Sequence, residues 1–524
     1  AMWLIDHQMN IKASETFGEY YVRLPLRKTA VIKHANALQT DWQSLIEPLP
    51  WEKEEPKFNY IFGNPPFVGH QWRNETQMRD MELVFRNAKR AGRLDYVAAW
   101  YIKAAQYMKE YNFMEPATDT STELPLRRTL VQHNNAQLTK AAFVSTNSIS
   151  QGEQVSILWS ELFNEYHIKI HFAYRTFKWG NEARNNAAVH VVIIGFANFD
   201  LNDKSIFEYE NVQSEPHEIK VKNINPYLTE GKDIFIQSRG NPIHGFLEMI
   251  KGSQPTDGGH LILNKSEYEE LISKEPNSKK WIRLYYGAFE YINSIYRYCL
   301  WLKDISPSEL KSMPLVMNRV EKVREERLKS PTPSVREYSK YPTLFTQDRQ
   351  PDTEYLVVPE VSSINRKYIP IGFLSPEIIC SNKLQIIKSA SLLMFGVMQS
   401  LMHMIWTRYV CGRMKSDFSY SPQVYNNFPF PENPNPKQIK TVEEAAQHVL
   451  DVRAKFPESS LADLYDSNTM PPELVKAHQA LDKAVDLCYR PQAFINETKR
   501  IEFLFELYDK LTSGMFREEK KKKK

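Results

Sequence analysis

The stretch that most constrains the fold runs from Phe58 to Phe67 and reads FNYIFGNPPF. Aromatic side chains stand at every second position of its first half, and this alternation predicts a short buried strand. A glycine and two prolines then end the strand. Asn64 is therefore expected at the carboxyl end of a strand, at the edge of an open α/β sheet where ligands bind.

The residues Asn64, Pro65, Pro66 and Phe67 favour one kind of chemistry. Both prolines have a fixed φ and no N–H, so the loop is rigid and presents hydrogen-bond acceptors. If the Asn64 side-chain oxygen and the Pro65 carbonyl each accept a hydrogen of an aromatic amine, the nitrogen is drawn towards tetrahedral geometry and its lone pair is freed. Phe67 offers a flat face for the ring. A Pro-rich turn after a core strand is the alternative interpretation.

The totals set broad limits on the chain. Its 524 residues predict three to four domains, and a net charge of +4 gives no argument from bulk charge for a nucleic-acid partner. The 4 cysteines lie far apart without a CxxC pair, which argues against a zinc site or a disulfide framework and fits a reducing, intracellular setting. The uncharged stretch from Ser389 to Thr407 carries polar residues, so a buried helix is expected there and not a membrane span.

The sequence Asn64-Pro65-Pro66-Phe67 resembles the catalytic motif of amino-methyltransferases that use S-adenosylmethionine. Other segments, in the same order along the chain, are similar to single-chain type II restriction-modification enzymes of the MmeI kind, which fuse a nuclease, an adenine methyltransferase and a target-recognition domain. These segments are Asn36-Ala37-Leu38 with Asp41-Trp42, and residues 95–101, 143–149, 175–179 and 425–429.

This resemblance implies an α/β fold: an incomplete Rossmann-like methyltransferase sheet, then an α+β target-recognition domain and a C-terminal helical region. The expected domains are the catalytic domain at 1–205, a connector at 206–280, the recognition domain at 281–431 and the helical region at 432–524. The Gly-rich loop that cradles the cofactor in the resembled enzymes is not found before the catalytic strand. An upstream polypeptide is expected to carry that loop and the nuclease, and the Asn64 strand is expected to have an unpaired edge.

Four residues are expected to bind the cofactor, S-adenosylmethionine, by resemblance. Asn36 and Ala37 follow a strand predicted at Thr29 to His34, although an ordinary turn explains the asparagine equally well. Asp95 and Tyr96 stand at the start of a predicted helix. Capping of that helix is the alternative for Asp95, and one carboxylate can serve both purposes.

A second aromatic residue is expected to hold the target base opposite Phe67. The strand from His167 to Tyr174 and the apolar run from Val189 to Phe196 bracket an insertion, like the closing hairpin of such a sheet. By resemblance, Phe177 is favoured over Trp179 as the ring that stacks on a base flipped out of the duplex. A core aromatic is the alternative.

The recognition domain is expected to bind double-stranded DNA through a polar, basic turn between strands at Leu356 to Val361 and Tyr368 to Phe373. Arg and Asn side chains can make paired contacts to guanine and adenine. Arg413, Lys415 and the stretch from Tyr420 to Pro431 are expected to return the chain towards the catalytic domain. The expected DNA-binding residues are Ser362, Ser363, Asn365, Arg366, Lys367, Arg413 and Lys415. Helices predicted at 442–456, 471–489 and 501–511 are expected to brace this domain.

Three functions are compatible with these patterns. The first is adenine-specific DNA methylation in a prokaryotic, cytoplasmic restriction-modification system, for which no metal or general base is required because the acceptors mainly position the amine. The second is a catalytically incomplete DNA-binding fragment that needs an upstream polypeptide. The third is methylation of RNA or of a protein glutamine, against which the long region after residue 205 argues.

Overall fold

The computed structural model describes residues 9, 11–12, 14–18, 31–46, 56–85, 91–112, 138–179, 189–209, 214–414 and 417–522, with the backbone alone at 179, 189 and 514–522. The chain divides into two compact units, Ala1–Asn59 and Tyr60–Lys524. We describe each unit by itself.

The described part of the first unit is built from short local structure. Residues 14–17 are helical, and a 3-10 turn covers Gln43–Leu45. The strand predicted at Thr29 to His34 is not formed over its described residues, 31–34. That prediction was wrong because a strand needs a pairing partner, and Ile32 is exposed to solvent instead.

The second unit begins with a six-stranded sheet whose spatial order is β1-β2-β4-β3-β5-β6. Its strands are β1 (Tyr60–Gly63), β2 (Lys140–Thr146), β3 (Lys169–Trp179), β4 (Val189–Ala197), β5 (Lys204–Glu208) and β6 (His217–Val221). Strand β1 is parallel to β2, and β4 runs antiparallel to both β2 and β3. The carboxyl ends of β1, β2 and β3 therefore lie along one edge of the sheet, as expected for the catalytic edge.

Strand β1 lies at one side of this sheet and, among the described residues, pairs only with β2. The unpaired edge agrees with the expectation from the sequence, but the predicted burial does not. Tyr60 and Phe62 point to the same face, and each is 67% exposed. The prediction of a buried strand was wrong because alternation reports which residues share a face and says nothing about what covers that face.

Three helices accompany the sheet: α1 (Glu75–Phe85), α2 (Ala98–Tyr111) and α3 (Gly152–Glu165). Helix α2 carries the centre of the core, where Tyr101 stacks on Phe196 with ring centroids 5.1 Å apart and packs edge-on against Phe143 and Trp159. These aromatic contacts fix α2 and α3 against the sheet.

The recognition region contains three small sheets, ordered β14-β9-β10-β8, β13-β11-β15-β7 and β12-β17-β16. Their strands are β7 (Met249–Lys251), β8 (Ile262–Leu263), β9 (Ile282–Tyr286), β10 (Tyr298–Leu300), β11 (Tyr355–Pro359), β12 (Val361–Ser362), β13 (Gly372–Leu374), β14 (Ile378–Cys380), β15 (Leu384–Lys388), β16 (Gly412–Met414) and β17 (Asp417–Ser419). Residues 206–280, expected as a connector, thus contribute β7 and β8 to these sheets.

The strand predicted from Tyr368 to Phe373 is mostly absent. Only its last residues lie in β13, which pairs with β11, whereas Tyr368 and Ile369 are buried in an irregular segment. Between Tyr368 and Phe373 apolar and polar side chains do not alternate regularly. The Tyr368 hydroxyl donates a hydrogen bond to Asp482 at 2.6 Å, outside the sheet.

Short helices surround the recognition sheets. They are α4 (Lys265–Lys274), α5 (Ala288–Asn293), α6 (Pro307–Lys311), α7 (Pro314–Lys329), α8 (Pro333–Glu337), α9 (Leu392–Met398), α10 (Leu401–Val410) and α11 (Pro422–Asn426). The predicted buried helix at Ser389 to Thr407 is confirmed as two helices, α9 and α10, interrupted at Gln399 and Ser400. Among the described residues, none of the helices combines the length and hydropathy of a membrane span.

The C-terminal region is helical, as predicted. Its helices are α12 (Pro436–Ala454), α13 (Leu461–Leu464), α14 (Pro472–Tyr489) and α15 (Glu497–Lys522). They brace the recognition region closely: a Cβ placed on Gly396 of α9 would stand 2.8 Å from Val442 of α12 and 3.3 Å from Leu481 of α14. Arg453 of α12 also donates to the Ile371 carbonyl at 2.6 Å.

Candidate catalytic loop and DNA-reading turn

The loop after β1 carries the two expected acceptors, the Asn64 side-chain oxygen and the Pro65 carbonyl. Asn64 is exposed and Pro65 is buried. Within its unit, neither the Asn64 side chain nor the Pro65 carbonyl has a hydrogen-bond partner among the described residues. The Asn64 amide is thus not turned into the core, and the described part of the protein uses neither acceptor.

The same loop is held rigidly from behind. The Pro66 carbonyl accepts from Val68 N at 3.2 Å, and the Val68 carbonyl accepts from Tyr96 N at 2.9 Å. His70 N donates to Asp95 Oδ1 at 3.0 Å. The prolines therefore restrict the loop internally, and residues 95 and 96 fix its far end.

Asp95 supports the loop and does not cap α2. Helix α2 begins at Ala98, and its N-cap residue, Val97, makes no side-chain capping bond, so the capping interpretation was wrong. The Asp95 carboxylate is drawn away from the helix because Oδ1 accepts from His70 N while Oδ2 accepts from the Ser148 hydroxyl. Asp95 is only 8% exposed.

Tyr96, the neighbouring residue expected at the cofactor, is also engaged. Its hydroxyl donates to Asp80 Oδ2 at 2.6 Å, and its ring packs edge-on against Trp100. The polar atoms of Asp95 and Tyr96 are thus used to build the protein, and a role in cofactor binding stays a prediction.

Asn36 and Ala37 lie in the first unit, in a turn. The Asn36 side-chain oxygen accepts from Leu38 N at 3.0 Å, and the Ala37 carbonyl accepts from the Trp42 indole at 2.8 Å. This arrangement is the ordinary Asx turn that the sequence also allowed. The expected cofactor contact of Asn36 and Ala37 stays a prediction.

Phe177 lies on β3, at the same sheet edge as the catalytic loop. Strands β2 and β4 stand between β1 and β3, and three strand spacings of about 4.8 Å separate β1 from β3 by roughly 14 Å. The Phe177 ring packs against Tyr209, with centroids 5.2 Å apart. Phe67 lies in the loop beyond the end of β1, so these spacings do not fix its distance from Phe177, and the pairing of the two rings stays a prediction. The side chain of Trp179 lies outside the described residues.

The five expected DNA-binding residues at the turn after β12 lie in three environments: the sheet, the solvent-exposed surface and a cavity. Ser362 is 1% exposed and belongs to the sheet, whereas Asn365 and Lys367 are exposed. Ser363 and Arg366 line a cavity of about 970 Å³ together with Arg297 and Lys383. Burial lowers the pKa of the Arg366 guanidinium from its ordinary value.

Arg413 touches the catalytic domain, as expected for a residue that returns the chain towards it. Its Nε donates to Gln151 Oε1 at 3.0 Å, its Nη2 donates to the Arg408 carbonyl at 2.9 Å, and its guanidinium lies 3.9 Å from the Phe418 ring centroid. Burial lowers its pKa to about 10. This environment suits an internal contact better than a DNA phosphate, and Lys415 lies outside the described residues.

The stretch from Tyr420 to Pro431 makes hydrogen bonds outside the catalytic domain, and its expected return towards that domain stays a prediction. Asn426 donates to the carbonyls of Arg239 and Gly240, each at 3.0 Å, and Tyr489 of α14 donates to the Pro429 carbonyl. These contacts tie residues 420–431 to the segment around residue 240 and to the C-terminal helices.

Sequence reasoning missed the residues that support Asp95. Ser148 follows β2, and Gln154 of α3 accepts from Asp95 N at 3.0 Å. Their positions after β2, the strand parallel to β1, were the available signal, because the carboxyl ends of parallel neighbours meet at one edge.

Comparison with known proteins gives three matches to family models. The MmeI DNA-methyltransferase domain matches residues 1–123 and 126–208, the MmeI target recognition domain matches residues 230–432, and the MmeI C-terminal domain matches residues 434–516.

Two relatives extend over almost the whole chain. DNA methyltransferase A of Bacillus subtilis (strain 168) is 37% identical over 515 residues, which cover 98% of this chain and 54% of that protein. The solved structure of the type IIL restriction-modification enzyme MmeI in complex with DNA has 46% identity and a TM-score of 0.77, covering 98% of this chain and 64% of that chain. The chain thus spans little more than half the length of these relatives.

Proposed function

The chain belongs to the MmeI family, and from that premise we propose that it provides the catalytic loop, recognition domain and C-terminal domain of a DNA methyltransferase of a restriction-modification system. The proposed reaction transfers a methyl group from S-adenosylmethionine to the exocyclic amine of adenine in a specific sequence. The proposed partner is double-stranded DNA.

The observation that carries the proposal is the pair of open acceptors, the Asn64 side-chain oxygen and the Pro65 carbonyl, on a loop that is fixed from behind. Two acceptors at one corner suit the two hydrogens of an amino group. By accepting both, they withdraw the nitrogen lone pair from the aromatic ring and hold it ready for attack. Positioning of this kind lowers the barrier without a general base or a metal.

An adenine in a duplex reaches this loop only when it is flipped out of the helix. Phe67 is half-buried and directly follows the two prolines of the loop. We propose that Phe67 stacks on the flipped base and that Phe177, at the same edge of the sheet, supplies the second ring after a local rearrangement. Stacking between aromatic rings helps offset the cost of unpairing the base.

Sequence reading is proposed for the turn after β12. Asn365 and Lys367 are exposed there, and Arg366 reaches into the neighbouring cavity. Arg suits guanine and Asn suits adenine in the major groove, because each can form two hydrogen bonds to one base edge. Ser363, whose hydroxyl accepts from Asn365 N at 3.3 Å, shapes the turn.

The described residues do not by themselves form a cradle for the methyl donor. Of the two expected contacts beside the loop, the Asp95 carboxylate is taken by His70 and Ser148, and the Tyr96 hydroxyl is taken by Asp80. We therefore propose that an upstream polypeptide supplies most of the cofactor site, together with the nuclease, and docks beside the exposed edge of β1.

The test is Asn64→Ala in a complex of this chain with the upstream polypeptide. We expect methylation of unmodified DNA to fall by at least about 100-fold, because a preorganised hydrogen-bonding group is lost at the reacting centre. DNA binding should change little. Nucleoside mass spectrometry measures methylated adenine, and Asn59→Ala, an exposed asparagine five positions earlier, is the matched control. Unmodified adenine after treatment with the parent complex contradicts the proposal.

A second function, a DNA-binding specificity subunit that is inactive alone, is favoured by the occupied polar atoms of Asp95 and Tyr96. Calorimetry of this chain with S-adenosylmethionine separates the two functions. Tight binding by the chain alone would exclude the inactive subunit, and no binding would leave catalysis dependent on the upstream polypeptide.

A further inference from the structure

We propose that the three-stranded sheet β12-β17-β16 couples the DNA-reading turn, residues 363–367, to the catalytic loop, residues 64–67. Arg413, Gln151 and Gln154 are the positioning residues. The inference rests on the proposed function, because it concerns how recognition affects methyl transfer. It gives Arg413 an internal role in place of the DNA contact expected from the sequence.

The coupling begins where the DNA-reading turn leaves β12. Val361 and Ser362 pair with Ser419 and Phe418 of β17, so the start of the turn is part of the sheet. Asp417 Oδ1 also accepts from Ile364 N at 3.3 Å, inside the turn. A displacement of the turn by DNA therefore acts directly on β17.

Strand β17 holds Arg413 of β16 in one orientation. Arg413 pairs with Phe418 across the two strands, and its guanidinium stacks on the ring of the same residue. With Nη2 bound to the Arg408 carbonyl, Nε points at Gln151. The guanidinium thus links β17 to the residue that precedes α3.

The two segments meet at van der Waals distance beside this hydrogen bond. Gly152 has a φ of +62°, and a Cβ on it would lie 2.9 Å from the Cα of Gly412. Backbone in such close contact transmits a shift of β16 to the first turn of α3, because neither segment has room to yield.

The first turn of α3 then acts on Asp95. Gln154 accepts from Asp95 N at 3.0 Å, and Glu153 pairs with Arg93, two residues before Asp95. The Asp95 carboxylate in turn accepts from His70 N, and Tyr96 N donates to the carbonyl of Val68, the residue after Phe67. Every step from the DNA-reading turn to the catalytic loop is a direct contact.

This arrangement has a functional consequence because methyl transfer depends on alignment. A misplacement of about 1 Å at a reacting centre can slow a reaction by roughly 100-fold even when the mutated residue is remote. When the recognition domain is bound to its specific sequence, the contacts would keep the catalytic loop aligned for methyl transfer. When it is bound to another sequence, they would not.

The test uses this chain with the upstream polypeptide, S-adenosylmethionine and unmethylated genomic DNA. We expect Gln151→Ala and Gln154→Ala each to lower the single-turnover rate of methyl transfer about 10-fold, while the Kd for DNA stays within about twofold. Because Gln151 and Gln154 lie in the same chain of contacts, the rate of methyl transfer in the double variant should also fall by no more than about 10-fold. Gln151→Glu keeps an acceptor for Arg413 and should retain the parent rate.

Asn164→Ala, on the exposed face of the same helix, is the matched control and should match the parent. Losses that multiply in the double variant, unchanged rates in the single variants, or a loss of DNA binding that parallels the loss of rate would each overturn the coupling. If the parent complex does not methylate DNA, the proposed function fails and the coupling fails with it. If the parent complex is active and Gln151→Ala methylates DNA at the parent rate, the coupling is overturned while the proposed function stands.

Discussion

At the scale of single residues, Gly152 is fixed by its backbone as well as by its surroundings. Alanine at this position would have to adopt a left-handed φ and place its Cβ 2.9 Å from Gly412. We expect Gly152→Ala to lower the free energy of unfolding by about 1 to 3 kcal/mol, measured by urea titration. Gly240→Ala, at a position with open space around the Cβ, is the control. Equal stability of both variants would refute this explanation.

Arg327 is a second residue whose role only the structure reveals. It stands in α7, a helix rich in charged residues, yet it is 1% exposed. Its guanidinium donates to five carbonyls, those of Pro255, Thr256, Tyr338, Tyr341 and Leu344. Arg327 therefore closes the loops around α7.

Replacement of Arg327 by methionine should destabilise the protein strongly. The apolar stem is retained, but five carbonyls lose the donor that the buried guanidinium provides, and we expect a loss of about 3 to 5 kcal/mol. Arg324→Met, on the exposed side of the same helix, should stay within about 0.5 kcal/mol of the parent. Thermal unfolding of both variants checks this, and comparable melting temperatures would show that the carbonyls find other donors.

Asp95 illustrates what a sequence cannot say about a residue. Its type and place before a helix predicted a cap, which was wrong, and its proximity to the catalytic loop came only from resemblance. The partners of its carboxylate, His70 and Ser148, are 25 and 53 positions away in sequence. Local patterns carry no information on such pairings, whereas the rigidity of Asn64-Pro65-Pro66 is a property of the residues themselves.

At the scale of elements, predictions succeeded where the pattern is local and strong. The hairpin of β3 and β4 and the long C-terminal helices follow from runs of apolar residues at regular spacing. The predicted strands at Thr29 to His34 and Tyr368 to Phe373 failed because a strand exists only when another strand pairs with it. The length of an apolar run does not reveal that partner.

Helix α14 anchors the segment that follows the turn after β12, and we expect the strength of this contact to depend on pH. Asp482 of α14 accepts from the Tyr368 hydroxyl at 2.6 Å and from Leu401 N at 2.7 Å. Burial raises the pKa of the Asp482 carboxyl to about 6 from 3.8. Since the folded-state pKa is raised, the native state holds a proton that the unfolded state releases.

The stabilising contribution of Asp482 is therefore fully present below about pH 4 and is lost as the pH rises through about 6. We expect the unfolding free energy of the parent, relative to that of Asp482→Asn, to fall by up to about 3 kcal/mol between pH 4 and pH 7. Urea titrations of both proteins across this range measure the difference. A difference that does not change with pH would show that the carboxyl titrates at its ordinary value.

At the scale of the whole molecule, the exposed edge of β1 predicts self-association. Within the part of the chain that the structure describes, the outer edge of β1 is unpaired, and with Tyr60 and Phe62 beside it this edge can pair with a second copy. We expect the chain alone to form larger species in sedimentation velocity experiments and Phe62→Lys to suppress them. Tyr296→Lys removes an aromatic side chain of similar exposure in the recognition region and should leave association unchanged. A monomeric parent would contradict this prediction.

The exposure of Asn64 also raises the question of whether this residue deamidates. An exposed asparagine ordinarily deamidates when the backbone nitrogen of the next residue attacks its side-chain amide and closes a succinimide ring. That attack requires an N–H, and Pro65 has none. The exposed Asn64 side chain is thus protected from this route of deamidation by the residue that follows it.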